Sequence, residues 1–151
     1  MALTNKEYER YDRIGTVKQH AYFIPFSLTD KEKYTHGIID RKSSSRFLSL
    51  DGVWQIKQNL NVEETDVFEE LSQTIPVPSC VQMHGYDHIQ YINTRYPILV
   101  NPPYVPFDNP CWHYRRTFSL EMQKGEKYYL TFEGVDCAFY LYVNGKYKGY
   151  S

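Results

Sequence analysis

The sequence has 151 residues, a formal net charge of −1 and 23% charged residues. That length fits one domain, which buries roughly 68–70% of its unfolded surface. The near-zero charge gives no electrostatic reason to expect nucleic acid or an anionic membrane as partner. Aromatics reach 17%, with 15 Tyr. Tyr joins a large apolar ring to a polar tip, so this excess suits strands and half-wet recognition surfaces. It reads either as β-rich packing or as a sugar-contacting surface.

Residues 1–45 are polar and irregular. Tyr8, Tyr11, Tyr22, Phe23, Ile24, Pro25 and Phe26 are scattered through them, and Ser43, Ser44 and Ser45 close the stretch. The pattern predicts an N-terminal arm that docks on another surface, because the Tyr-Phe-Ile-Pro-Phe cluster is too apolar for a disordered tail. Residues 1–20 carry no apolar run, so no signal peptide is expected. Nor does any stretch reach the roughly 18 apolar residues of a membrane span.

From Arg46 the pattern turns β. Phe47, Leu48 and Leu50 lead to Asp51-Gly52, a tight-turn dipeptide, and Val53, Trp54, Ile56 and Lys57 form the return strand. Asn61 to Gln73 is the one helix candidate, with Val67, Phe68 and Leu71 able to share a face and Glu63 and Glu64 in its first turn. Its acids, clustered at 63–70, read as a solvated helix face. Ile75-Pro76-Val77-Pro78 is extended, since each proline fixes its own φ and biases the residue before it. Residues 79–111 hold Gly85, Pro97, Pro102, Pro103, Pro106 and Pro110. Loops this long are usually functional, so a site is sought here first.

In Trp112 to Leu120 the apolar Trp112, Tyr114, Phe118 and Leu120 alternate with His113, Arg115, Thr117 and Ser119, as in a half-buried strand with His113 outward. Tyr128 to Glu133 and Ala138 to Val143 predict two more strands. Asn144-Gly145 suits a type I′ hairpin turn, and Lys146 to Tyr150 return. The expected fold is all-β, an antiparallel sandwich or jelly roll. A last hairpin strand without a neighbour leaves an open edge, so the sandwich is expected to be incomplete at its C-terminus.

No nucleophile elbow, phosphate loop or dinucleotide glycine pattern is present. His84 and His88 have the spacing of a helical metal pair, but Gly85 argues against a helix there. Cys80, Cys111 and Cys137 are odd in number, unpaired by motif and set among apolar neighbours. They read as reduced, buried thiols of a cytoplasmic protein. Glycosidase chemistry needs two carboxyl groups flanking the bond, and nothing marks out such a pair.

Three stretches carry a resemblance: Val77 to Asp87; Tyr96 to Pro106 with Asn109-Pro110; and Phe132 to Ser151. With Leu50-Asp51-Gly52-Val53-Trp54, they resemble the N-terminal, galactose-binding-like jelly roll of the large β-galactosidases in glycoside hydrolase family 2. The resemblance implies a domain over 46–151 and an arm over 1–45, both belonging to an enzyme that cleaves terminal β-galactosides with retention. It implies a catalytic (β/α)₈ barrel elsewhere, magnesium and sodium bound by that larger protein, and a homo-oligomer held partly by the arm. The two catalytic glutamates match no position here. One substrate-binding residue carries over: Asn101, at the edge of the galactose pocket. Its amide donates and accepts, so it suits neighbouring sugar hydroxyls, and the following prolines would stiffen its loop. A turn asparagine satisfying its own backbone is the plain alternative. Many relatives carry Asn-Trp where Cys80-Val81 stands here. A free-standing carbohydrate-binding module and a purely structural interaction domain are the other two readings.

Overall fold

The computed structural model describes residues 14–31, 40–91, 93–94, 96, 99–102, 104, 106, 109–136 and 138–151. Tyr8, Tyr11, Pro97, Pro103 and Cys137 lie outside them. The fold is all-β. Its strands are β1 (Gly52–Asn59), β2 (Gln73–Val77), β3 (Cys111–Arg115), β4 (Tyr140–Val143) and β5 (Lys146–Tyr150), with single 3-10 turns at Leu28–Asp30, Arg41–Ser43 and Val81–His84. The strands form a three-stranded sheet in the order β2-β1-β3 and a separate β4-β5 hairpin. The chain divides into two units, one of residues 1–17 with 53–151 and one of residues 18–52.

In the larger unit, β1 pairs antiparallel with β3, Lys57 opposite His113 and Ile56 opposite Tyr114. Opposed residues share a face, so the pair has two chemically different sides. One side carries Trp54, Ile56 and Trp112; the other carries Lys57, Asn59, His113 and Arg115. Ile56 and Ile75 are fully buried, Val81 nearly so, and Trp54, Val77, Tyr86 and Trp112 pack around them. Pro76 fits because β2 is an edge strand, where a missing N–H costs no ladder bond.

The Asn144-Gly145 turn forms as expected, both residues at positive φ (51° and 72°). Tyr140 pairs with Tyr150 and Tyr142 with Tyr147 across the hairpin, with an irregularity between Leu141 and Tyr142. Ile14 bridges to Tyr150, and the Tyr150 N–H donates to the Ile14 carbonyl at 2.9 Å. Gly15 and Gly149 meet there so closely that a Cβ on either would strike the other strand's carbonyl.

Four expectations change. The 61–73 segment is not helical. The Asn61 side chain accepts the Glu64 N–H (3.0 Å) and the Asp66 side chain accepts the Phe68 N–H (2.9 Å), local bonds that compete with helix formation. Leu71 is buried while Phe68 is 77% exposed, so the two share no face. β3 stops at Arg115 rather than Leu120, and the Arg116 guanidinium donates to the Val53 carbonyl. Tyr128 to Glu133 alternates in sequence only: every residue in it is exposed, and it pairs with no strand among the described residues. Phe47–Leu50 likewise forms no strand leading into Asp51-Gly52, and the Asp51 N–H donates to the Ser49 hydroxyl instead.

In the smaller unit, buried Asp30 is the organising group. One carboxylate oxygen accepts from the Ser27 N–H and hydroxyl (both 3.2 Å) and from the Ser45 N–H (3.0 Å) and hydroxyl (2.7 Å). The Arg41 guanidinium lies 5.7 Å from the Phe47 ring centroid and donates to the Tyr22 hydroxyl. The Lys42–Asp51 pair (3.2 Å) is exposed on both sides. Its hydrogen bond, with that from Ser49, lowers the Asp51 pKa.

Candidate functional site

The long segment between β2 and β3 begins with a well-defined corner. The Val77–Pro78 peptide is cis. The 3-10 turn Val81–His84 then ends at Gly85, whose φ of 73° closes it. Val81 drops into the core, and the Tyr86 hydroxyl donates to the Thr74 carbonyl at 3.1 Å, tying the corner to β2. Cys80 is exposed and Cys111 half-buried, both as free thiols, so the expectation of buried cysteines fails at Cys80. Cys80 lies in the polar corner beside Ser79 rather than on a face of the core.

Asn101 lies further along, in a turn. The Tyr104 N–H donates to the Asn101 carbonyl at 2.9 Å, and the two residues form an isolated bridge across Pro102. Asn101 is exposed, and its side-chain amide makes no hydrogen bond among the described residues. Leu99, Val100 and Tyr104 around it are exposed as well. The turn thus uses the asparagine's main chain and leaves its amide to solvent.

His84 and His88 do not form a metal pair. The turn bearing His84 ends at Gly85, so there is no helix to align the two rings. The His84 Nε2 sits 3.1 Å from the Ser79 hydroxyl, which itself donates to the Pro76 carbonyl. Asp87 accepts from the His88 N–H at 2.7 Å. Among the described residues, no three His, Cys, Asp or Glu side chains converge to hold a metal ion. No helix among the described residues is long and apolar enough to cross a membrane.

Sequence reasoning missed the strongest polar cluster. Glu69 and His113, read as a solvated acid and an outward histidine, are only 10% and 12% exposed in their side chains. The Glu69 carboxylate accepts from His113 Nδ1 (2.8 Å), Asn59 Nδ2 (2.8 Å) and Lys57 Nζ. The carboxylate has no proton to give, so the proton in this bond is carried by His113 Nδ1. The Arg115 guanidinium donates to the carbonyls of Val67 and Glu69 at 2.8 Å each. A sequence signal existed: Lys57 and Asn59 on one strand and His113 and Arg115 on another repeat at period two, marking a polar sheet face that needs an acidic cover.

Burial opposes ionisation of Glu69, but the bonds from Lys57, Asn59 and His113 outweigh it. The carboxyl titrates at about 2 instead of 4.5. A general acid must carry a proton at working pH, so Glu69 cannot serve as one near neutrality. The cluster is a fastening. The turn that bears Asn101 is exposed to solvent.

The family described as glycosyl hydrolases family 2, sugar binding domain, matches residues 47–151. A β-galactosidase of Staphylococcus xylosus is 38% identical over 141 residues, covering 91% of this chain and 14% of its own length. A β-galactosidase of Actinobacillus pleuropneumoniae is 40% identical over 141 residues, with the same coverage. One from Pseudoalteromonas haloplanktis is 39% identical over 150 residues, covering 92% of this chain and 14% of its own length. No solved structure matches.

Proposed function

We propose a role for the chain from one premise: it belongs to the sugar binding domain family of glycosyl hydrolases family 2. The chain spans about 14% of the length of the β-galactosidases it matches. We read it as the N-terminal, non-catalytic region of a β-galactosidase, with an arm over 1–45 and a jelly-roll domain over 46–151. The larger protein hydrolyses terminal β-galactosides with retention at a separate (β/α)₈ barrel. It binds magnesium and sodium through other residues, and it assembles as a homo-oligomer. The free thiols of Cys80 and Cys111 support a cytoplasmic setting.

Asn101 is the one residue of this chain we assign to the galactose pocket. What supports the assignment is an exposed side-chain amide on a turn already closed by its own backbone. An amide so placed bridges two sugar hydroxyls without giving up a structural bond. The test is Asn101→Ala in the full-length polypeptide. Loss of one or two such bonds is worth about 1–2 kcal/mol, so KM for a chromogenic β-galactoside should rise roughly 5- to 30-fold. Unchanged KM and kcat in a folded Asn101→Ala protein would reject the assignment.

A further inference from the structure

We propose that residues 61–71 form a strap that fastens the β4-β5 hairpin to the three-stranded sheet, with Glu69 as its anchor on the sheet and Phe68 as its anchor on the hairpin.

Two independent sets of contacts carry this. On the sheet side, Glu69 gathers Lys57 and Asn59 from β1 and His113 from β3, while Arg115 of β3 holds the carbonyls of Val67 and Glu69. The strap therefore crosses the β1–β3 seam and is bound through both side chain and main chain. On the hairpin side, the neighbouring Phe68 lays its ring edge on Gly145, where an added Cβ would collide with it. Gly145 then serves twice: its φ of 72° closes the turn, and its missing side chain makes the seat for the ring. Aromatic cover over a glycine is a recognised way of stabilising β structure.

The strap's own conformation fits the role. The Asn61 and Asp66 side-chain bonds hold it in consecutive turns, and the Asn59 amide reaches Thr65 at 3.1 Å. Buried Leu71 fixes its far end in the body of the unit. In a helix the Val67 and Glu69 carbonyls would point along the axis towards N–H groups four residues on, rather than sideways to Arg115 as they do here. Phe68, 77% exposed, is an unexpected place for a phenylalanine unless it covers something, and Gly145 is what it covers.

The test compares amide hydrogen exchange in the full-length polypeptide and its variants, peptide by peptide. Phe68→Ala removes a mostly exposed ring, so folding is not at risk. It should speed exchange in Tyr140–Tyr150 roughly two- to fivefold while peptides around Ile56 and Ile75 keep their rates. Glu69→Gln should speed exchange in the strap and the hairpin together. Hairpin rates unchanged in Phe68→Ala, or raised no more than those of β1 and β2, would overturn the proposal. Gly145→Ala supplies a second arm. Its turn strain exists in any background, but its collision with the ring exists only while Phe68 is present. The substitution should therefore accelerate hairpin exchange less in a Phe68→Ala background than in the wild type. Equal acceleration in both would show that the ring does not sit on the glycine.

Discussion

Glu69 shows how one side chain's surroundings decide its chemistry. Its neighbours hold it ionised to about pH 2, against 4.5 for a free glutamate. The folded pKa is depressed, so its contribution is complete above the unfolded value and fades as pH falls from about 4.5 towards 2. Glu69→Gln keeps the shape but leaves one neutral acceptor oxygen and turns the other oxygen into an NH2 donor, so His113, Asn59 and Lys57 can no longer all find an acceptor. We expect a loss of about 1–3 kcal/mol at pH 7 by urea denaturation. The difference between variant and wild type should shrink as pH drops through that window; a constant difference from pH 7 to pH 2.5 would contradict it. Asp30 illustrates the same rule in the smaller unit. Asp30→Ala abandons four donors, two of them main-chain or hydroxyl groups of Ser45. Proteolytic cleavage between Lys18 and Gly52 should become at least several-fold faster, reflecting about 1–3 kcal/mol of lost local stability. The sequence could mark a polar face, but not which acid takes either role. Asp30 sits in a polar stretch with no period, and Glu69 stands among other acids. Only the strand register shows which acid meets the cations.

At the scale of elements, legibility tracks how locally an element is determined. The Asn144-Gly145 hairpin was foreseeable because two residues with positive φ dictate it. β1 and the extended run Ile75-Pro76-Val77-Pro78 were similarly accessible. The alternation in Tyr128 to Glu133 was equally clear, yet it makes no ladder among the described residues. Period two describes a surface that suits pleating, whereas a strand requires a neighbour to bond. The helix expected over Asn61 to Gln73 failed because Asn61 and Asp66 offered their backbone a nearer partner. The Asn101 turn was signalled by its prolines, but the direction of its amide is a tertiary matter. The contact of Gly15 with Gly149 makes a prediction of its own. Gly149→Ala should displace Ile14 from β5 and expose the Tyr150 amide to exchange, at a cost of about 1–3 kcal/mol, as for other overpacked sites. Retained protection of Tyr150 in that variant would show that the strands can separate without losing the bond.

At the largest scale, the apolar core that the described residues of the larger unit form is small. Ile56, Ile75 and Val81 form its centre, while large side chains such as Phe118, Tyr129 and Leu130 stay in contact with water. Much of the cohesion then falls on polar fastenings and on the bridge between Ile14 and Tyr150. That bridge joins opposite ends of the described chain, and it sets an order of events during translation. Ile14 leaves the ribosome long before β5 exists; at ordinary elongation rates the wait is roughly ten seconds or more. Throughout that interval the early segment has no cognate strand, so its pairing waits until β5 has been made.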